Sequence, residues 1–199
     1  MTDDLVLRED RGAVTHLTLN NPARLNALSD AMIAALSARF DDLKAARTQR
    51  VIVLKGAGKG FCAGHDLNEL RVKRAGPDKG AVALGDLFDR CATMMQMIPR
   101  LPQPVIAQVH GIATAAGCQL VASCDLAVAA EDCRFGVNGV NIGLFCSTPM
   151  VALSRNVGRK QAFEMLVTGD FITAARAQDI GLVNRIVAAD ALAQQTAAL

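Results

Sequence analysis

The chain has no tryptophan and no tyrosine, and only seven phenylalanines in 199 residues. Chemistry that needs a phenol is excluded. Histidine is scarce too, with three residues. The six cysteines are Cys62, Cys91, Cys118, Cys124, Cys133 and Cys146. None forms a CxxC pair and no histidine stands at a zinc-ligand spacing from them, so no metal site is expected. Scattered cysteines of this kind read as small buried apolar side chains. No apolar run approaches the ~20 residues that span a bilayer. The opening MTDDLVLRED is acidic and lacks the apolar segment of a signal peptide. Net charge is +2, and no basic tract is interleaved with aromatics, so a nucleic-acid partner is not expected. Together these absences lead to the expectation of a soluble, cytoplasmic chain with no membrane partner.

What is present is an alternation of strands and helices, which predicts an α/β fold. AVTHLTLN, 13–20, puts Thr15, Leu17 and Leu19 on one side of a strand, paired as a hairpin with LVLRE through Asp10-Arg11-Gly12. Ser29 is the expected N-cap of a helix to about Arg47, whose apolar stripe is Met32, Ile33, Leu36, Phe40 and Leu43. VIVLK, 51–55, opens on three β-branched residues and suits a strand buried on both faces. A short helix is expected from near Asp66, a charged surface loop over 71–80, and a longer helix to about Ile98. PVIAQV and DLAVAA read as further buried strands. Ser147, expected to be an N-cap, and Pro149 mark the next helix start. A short helix over 173–180, a strand in LVNRIV and a terminal helix in ADALAQQTAAL complete the pattern.

Two turns share a design. FCAGHDL follows VIVLK and opens a helix; ATAAGCQL follows PVIAQV and opens another. Each places small residues, and hence accessible backbone N–H groups, at a helix N-terminus. Such donors attract an anion or a polarised oxygen. Two of them aimed at one point would form an oxyanion hole. Small residues also simply permit tight turns, and both readings stand at this level. Neither turn is a phosphate-cradling GxxxxGK[ST] loop, because Phe61 follows GAGKG.

The stretches NNPARLNALS, FCAGHDLNEL, PVIAQVHGIATAAGCQLVASCDLAVAAEDCRFG and LVTGDFITAARAQDIGLVNRIV resemble the crotonase superfamily of enoyl-CoA hydratase/isomerase proteins. The resemblance covers essentially the whole chain. It implies an α/β fold of ββα units wound as a spiral, a homotrimer or dimer of trimers, and a place in fatty acid metabolism. The implied ligand is an acyl-CoA thioester, with coenzyme A as part of the substrate, no separate cofactor and no metal. Residues 1–187 then form the acyl-CoA-binding core, and 188–199 begin a C-terminal helical part that is otherwise missing.

By motif position, the resemblance assigns the oxyanion-hole N–H groups to Ala63 and Ala116. It places Ala23, Arg24, Leu25, Ala63, His65, Asp66, Leu67 and Ala116 along the CoA thioester. Hydratases of the family use two glutamates. Their positions here hold Gln119 and, twenty residues on, Gly139. A neutral amide does not take up a proton near pH 7, and glycine offers only backbone. Ordinary hydration is therefore in question, and restoring both glutamates is expected to test it. Two functional readings stay open: an acyl-CoA enzyme of the hydratase/isomerase, decarboxylase or thioesterase type, or a CoA-thioester binding or regulatory protein without turnover.

Overall fold

The computed structural model describes residues 4–199. Its larger sheet has six strands: β1 (Val6–Arg11), β2 (Val14–Leu19), β3 (Val51–Gly56), β4 (Val105–Val109), β6 (Leu126–Ala130) and β9 (Arg185–Val187), in the order β1-β2-β3-β4-β6-β9. The β1–β2 hairpin is antiparallel and every other pair is parallel. Gly12, at φ 62°, supplies the left-handed residue of the hairpin turn. The alternation expected for β2 is observed: Thr15, Leu17 and Leu19 are fully buried. In β3, Ile52, Val53 and Leu54 are all buried, as a strand covered on both faces requires.

A smaller sheet contains β5 (Ile112–Thr114), β7 (Arg134–Gly136) and β8 (Ile172–Thr173). It is extended by a bridge between Cys62 and Ala113. One strand in the large sheet, one strand or bridge in the small sheet, and one helix then form a repeating unit. The sets β3–Cys62–α2 (Leu67–Arg74) and β4–β5–α4 (Ala116–Ser123) are two of them. Such ββα winding places the strand-to-helix turns of successive units side by side.

Helix α1 (Asp30–Ala45) begins as expected, with the Ser29 hydroxyl accepting from Met32 N at 3.1 Å. Its stripe Met32, Ile33, Leu36, Phe40 and Leu43 is at most 1 % exposed. Each such side chain contributes about 1.5–3 kcal/mol on burial. The helix packs against β1 and against α3 (Ala81–Met97).

Four readings of the sequence need correction. The charged stretch 71–80 is not all loop: residues 71–74 form the last turn of α2, and the Asp78 carboxylate accepts from Gly80 N and Val82 N to start α3. Ser147 is not an N-cap but the first residue of α5 (Ser147–Asn156), with Cys146 at the cap position. Helix α6 (Arg159–Thr168) was not anticipated, because its apolar period is weak: Ala162, Met165 and Leu166 are buried while Phe163 is 63 % exposed. After α7 (Ala174–Asp179), the strand expected across LVNRIV is confined to β9. There Asn184 bonds Ala127 through both its own N–H and its Oδ1 before the ladder begins. Helix α8 (Leu192–Ala197) lies against β4 and β6.

Candidate active site

The two bare turns lie against each other, backbone to backbone. Phe61 N and Cys62 N both donate to Ile112 O, at 3.0 and 3.1 Å, and Thr114 N donates to Cys62 O at 3.1 Å. A β-carbon at Gly117 would stand 2.1 Å from Cys62 O. One at Gly64 (φ 85°) would stand 2.9 Å from Thr114 O and 3.2 Å from Ala116 N. The bareness of these segments is therefore a packing requirement as well as an opening for a ligand.

Ala115 carries the turn at φ 49°, ψ −118°, a conformation that ordinarily belongs to glycine. Strain of about 1–3 kcal/mol is typical of such residues. It sends the chain from β5 directly into α4 with Ala116 as the first helical residue, whose N–H has no partner inside the helix.

The first turn is held from below by Asn26, which is fully buried at φ 55°. Its Nδ2 donates to Ala57 O (2.9 Å), Gly60 O (2.9 Å) and Phe61 O (3.2 Å), and its Oδ1 accepts from Asn21 N at 2.9 Å. One side chain thus ties the NNPARLN loop to the approach of FCAG. Asp66 caps α2 by accepting from Asn68 N and Glu69 N, and pairs with Arg24 at 2.7 Å. Burial pushes the Asp66 carboxyl upward, but Arg24 and the two amides more than offset this and hold it below the usual carboxylate range.

The expected donor Ala63 needs correction. Its N–H donates to Leu25 O at 3.0 Å, so it is already committed. The His65 amide of the same turn has no hydrogen-bond partner among the described residues. The Leu28–His65 bridge uses Gly64 O and Asp66 N, which leaves the His65 N–H on the opposite edge. Neither His65 N nor Ala116 N donates to another protein group among the described residues.

A cavity of about 490 Å³ opens beside these amides. Ala63, His65, Leu67, Ala116 and Gly139 line it, together with Phe88 of α3, Thr114, Asn138 and the segment 141–149. Ala23, Arg24, Leu25, Asp66 and Gln119 do not. Ala23, Arg24 and Leu25 are exposed, and Arg24 and Asp66 border a shallow polar groove with Asp30 and Lys73. Gln119 is 6 % exposed and lines a neighbouring cleft between α3, α4 and α5, of about 610 Å³. Its Oε1 has no hydrogen-bond partner among the described residues. Thr148 borders both spaces.

At Gly139, to which the resemblance assigns the second glutamate position, a β-carbon would stand 2.0 Å from Leu144 O and 2.8 Å from Cys146 Sγ. The glycine is therefore demanded by the fold of the following segment, and restoring a glutamate there is sterically blocked. Other titratable groups near the cavity are held neutral. Burial lowers the His65 pKa, and both ring nitrogens are enclosed with no hydrogen-bond partner among the described residues, the ring meeting Phe88 edge-on at 5.3 Å. Burial pushes the Cys62 and Cys118 thiols up to about 12 and also raises Cys146. These thiols are not the activated nucleophiles that a lowered pKa would mark. No group of three or more metal-ligating side chains is found among the described residues, and no helix there is long and apolar enough to cross a membrane.

Sequence reasoning missed Asn26, Gly64, Gly117 and Phe88. Asn26 and the glycines stood inside the quoted motifs, but their backbone partners lie far away in the chain. Phe88 looked like any helical core residue.

Comparison with known proteins supports the same region. A profile of the enoyl-CoA hydratase/isomerase family matches residues 9–199. The mitochondrial enoyl-CoA hydratase domain-containing protein 3 of Xenopus laevis is 46 % identical over 191 residues, covering 96 % of this chain and 63 % of that protein. Its Danio rerio counterpart is 42 % identical over 198 residues, covering 100 % and 67 %. This chain thus spans about two thirds of the length of these curated relatives. The crystal structure of an enoyl-CoA hydratase from Mycobacterium smegmatis is 58 % identical with a TM-score of 0.93, covering 98 % of this chain and 74 % of the other. The expectation of a cytoplasmic chain is overturned by the vertebrate relatives, which are named as mitochondrial; composition carries no address. With the profile matching residues 9–199 and the fold superimposing at this level, the chain belongs to the enoyl-CoA hydratase/isomerase family.

Proposed function

We propose that this protein binds an acyl-CoA thioester and polarises its carbonyl with the backbone N–H groups of His65 and Ala116. One observation carries the reading: these two amides border the same cavity and have no partner among the described residues, while Ala63 N is bonded to Leu25 O. Two preorganised donors on one oxygen stabilise the charge that develops in an enolate or a tetrahedral oxyanion, an effect worth several kcal/mol in the transition state. The α4 dipole adds to it. Coenzyme A enters as part of the substrate, and the reading calls on no further cofactor. Exposed Ile142 and Phe145, with Phe163 and Val167 of α6, support self-association of the chain, as a trimer of the family type would require.

Hydration by a glutamate pair is not supported. Gln119 faces the neighbouring cleft, and Gly139 cannot take a side chain without moving Leu144. The reactions favoured are those that need the polarised thioester but not two carboxylates. A second reading, a CoA-thioester binder without turnover, is favoured by the same neutral lining.

The test is the infrared band of a carbonyl-labelled thioester such as [1-¹³C]butyryl-CoA. On the wild type the band moves to lower frequency. In Gly64→Ala, whose methyl would stand 3.2 Å from Ala116 N, the shift is lost. An unshifted band on the wild type, with the thioester bound, would sink the proposal.

A further inference from the structure

We propose that the corner formed by α2 and the start of α3 seats this protein on an anionic bilayer surface. The contact is peripheral. No helix among the described residues is long and apolar enough to cross a membrane, and the contact needs none. It revises the expectation, drawn from composition, of no membrane partner, and it stands independently of the thioester reading.

The outward side of α2 carries Leu67, Asn68, Arg71, Val72 and Arg74, all exposed, and no carboxylate. Leu67 is 58 % exposed and Val72 71 %. Val82, in the first turn of α3, is 78 % exposed. The two elements meet in one hydrogen-bonded corner. Lys79 N donates to Gly76 O at 2.9 Å, and a β-carbon at Gly80 would stand 2.7 Å from Lys73 O and 2.9 Å from Arg74 Cα. Apolar side chains standing this far into water among cations are what an interfacial segment presents.

The charges of the corner are sorted. Each carboxylate between residues 66 and 86 is engaged within the protein. Asp66 pairs with Arg24, Glu69 Oε2 accepts from Asp30 N at 2.8 Å, Asp78 accepts from Gly80 N and Val82 N, and Asp86 pairs with Arg90. Lys73 is drawn inward to Asp30 at 2.6 Å. Arg71, Arg74 and Lys79 are left exposed, with no salt bridge among the described residues. Asp89, exposed and unpaired, bounds the patch about 10 Å along α3 from Val82.

Charge alone does not single out this corner. Lys44, Arg47 and Arg50 are also exposed and unpaired, but no large apolar side chain between 44 and 50 is exposed. An anionic bilayer meets both halves of the α2–α3 corner: its headgroups attract the cations, and the valines reach the apolar layer beneath. Leu67 and Leu70 of α2 also line the cavity, so the seated face adjoins it. A long-chain thioester dissolved in the bilayer is thereby brought close to the cavity.

The experiment is co-sedimentation of the full chain with lipid vesicles. Vesicles of equal parts phosphatidylcholine and phosphatidylglycerol should carry the protein down at low ionic strength, phosphatidylcholine alone should not, and added salt should release it. A cation at such a surface is worth about fivefold in affinity. Arg71→Gln should therefore weaken binding about fivefold, and Arg71→Gln with Arg74→Gln and Lys79→Gln about a hundredfold. Val72→Ser with Val82→Ser should weaken it at every salt concentration. Lys44→Gln with Arg47→Gln and Arg50→Gln removes the same net charge elsewhere and should leave most of the affinity in place. Circular dichroism checks that each variant is folded. No sedimentation with the anionic vesicles, or equal losses in the two triple variants, overturns the proposal. Release by free CoA or inorganic phosphate, at concentrations too low to change the ionic strength, also overturns it, because it marks a phosphate site in place of a bilayer contact.

Discussion

The carbonyl oxygen of Cys62 lies 2.1 Å from where a β-carbon of Gly117 would stand. That single approach joins the two helix-opening turns and brings the Ala116 amide alongside Gly64.

Gly117→Ala should therefore be among the costliest methyl additions in the chain. The obstacle is backbone, which cannot swing aside as a side-chain tip can. Overpacking of this kind costs about 1–3 kcal/mol and sometimes more. Urea unfolding followed by circular dichroism checks it; a loss below about 0.5 kcal/mol, the range of a neutral surface change, would show that the turns can separate freely.

Gly139→Glu should destabilise by a similar route, since its first side-chain atom would stand 2.0 Å from Leu144 O. Gln119→Glu keeps the shape of the side chain and should be milder than Gly139→Glu, its cost being the charge placed on a residue 6 % exposed. The double variant is not expected to gain crotonyl-CoA hydration at a hydratase-like rate. Loss of enoyl absorbance at such a rate, with the variant folded, would show that segment 140–146 can move to seat the acid.

Asn26→Ala removes a side chain that satisfies three carbonyl oxygens and one amide. Buried groups left without partners cost about 1–3 kcal/mol each, and water entering the gap recovers part of that. A loss of at least about 2 kcal/mol in ΔG of unfolding is expected. Asn26→Asp retains the acceptor alone and should recover little, because it presents oxygen to carbonyl oxygens. Full recovery by Asp would contradict the assigned amide orientation.

His65 makes a signed pH prediction. Burial depresses its pKa in the folded protein, only partly opposed by Leu28 O and Asp30. The unfolded chain takes up a proton near the ordinary value of 6.5 while the folded chain does not. Stability attached to the neutral ring is thus complete above that pH and is lost as the pH falls below it. The limiting slope is about 1.4 kcal/mol per pH unit for one group. His16, also depressed by burial, contributes in the same direction. His65→Leu should flatten the acid limb below about pH 6.5 without flattening it completely. Parallel wild-type and variant curves would mean that His65 titrates as it does in water.

Much of this architecture is legible without coordinates. The stripe of α1, the alternation of β2 and the β-branched run of β3 were readable because each depends on a period within one segment. The four family motifs likewise located the cavity-lining Ala63, His65, Leu67 and Ala116. What was misplaced depended on partners far away in the chain. Ala63 and His65 sit two residues apart on one small-residue turn, and only the position of Leu25 O decides which amide is left free. The resemblance sets Gln119 at an acid position, but in the structure it lines the adjoining cleft between α3, α4 and α5.

The chain's local chemistry determined the strands, the helices and the small residues that let two turns meet. Those are properties of neighbours in sequence: steric freedom at glycine, apolar period, and capping groups a few residues apart. Tertiary structure decided which amides border the cavity and that Leu144 O takes the place of a side chain at Gly139. Each of these is a through-space contact between segments distant in sequence or a backbone orientation set by one, and no local propensity specifies it.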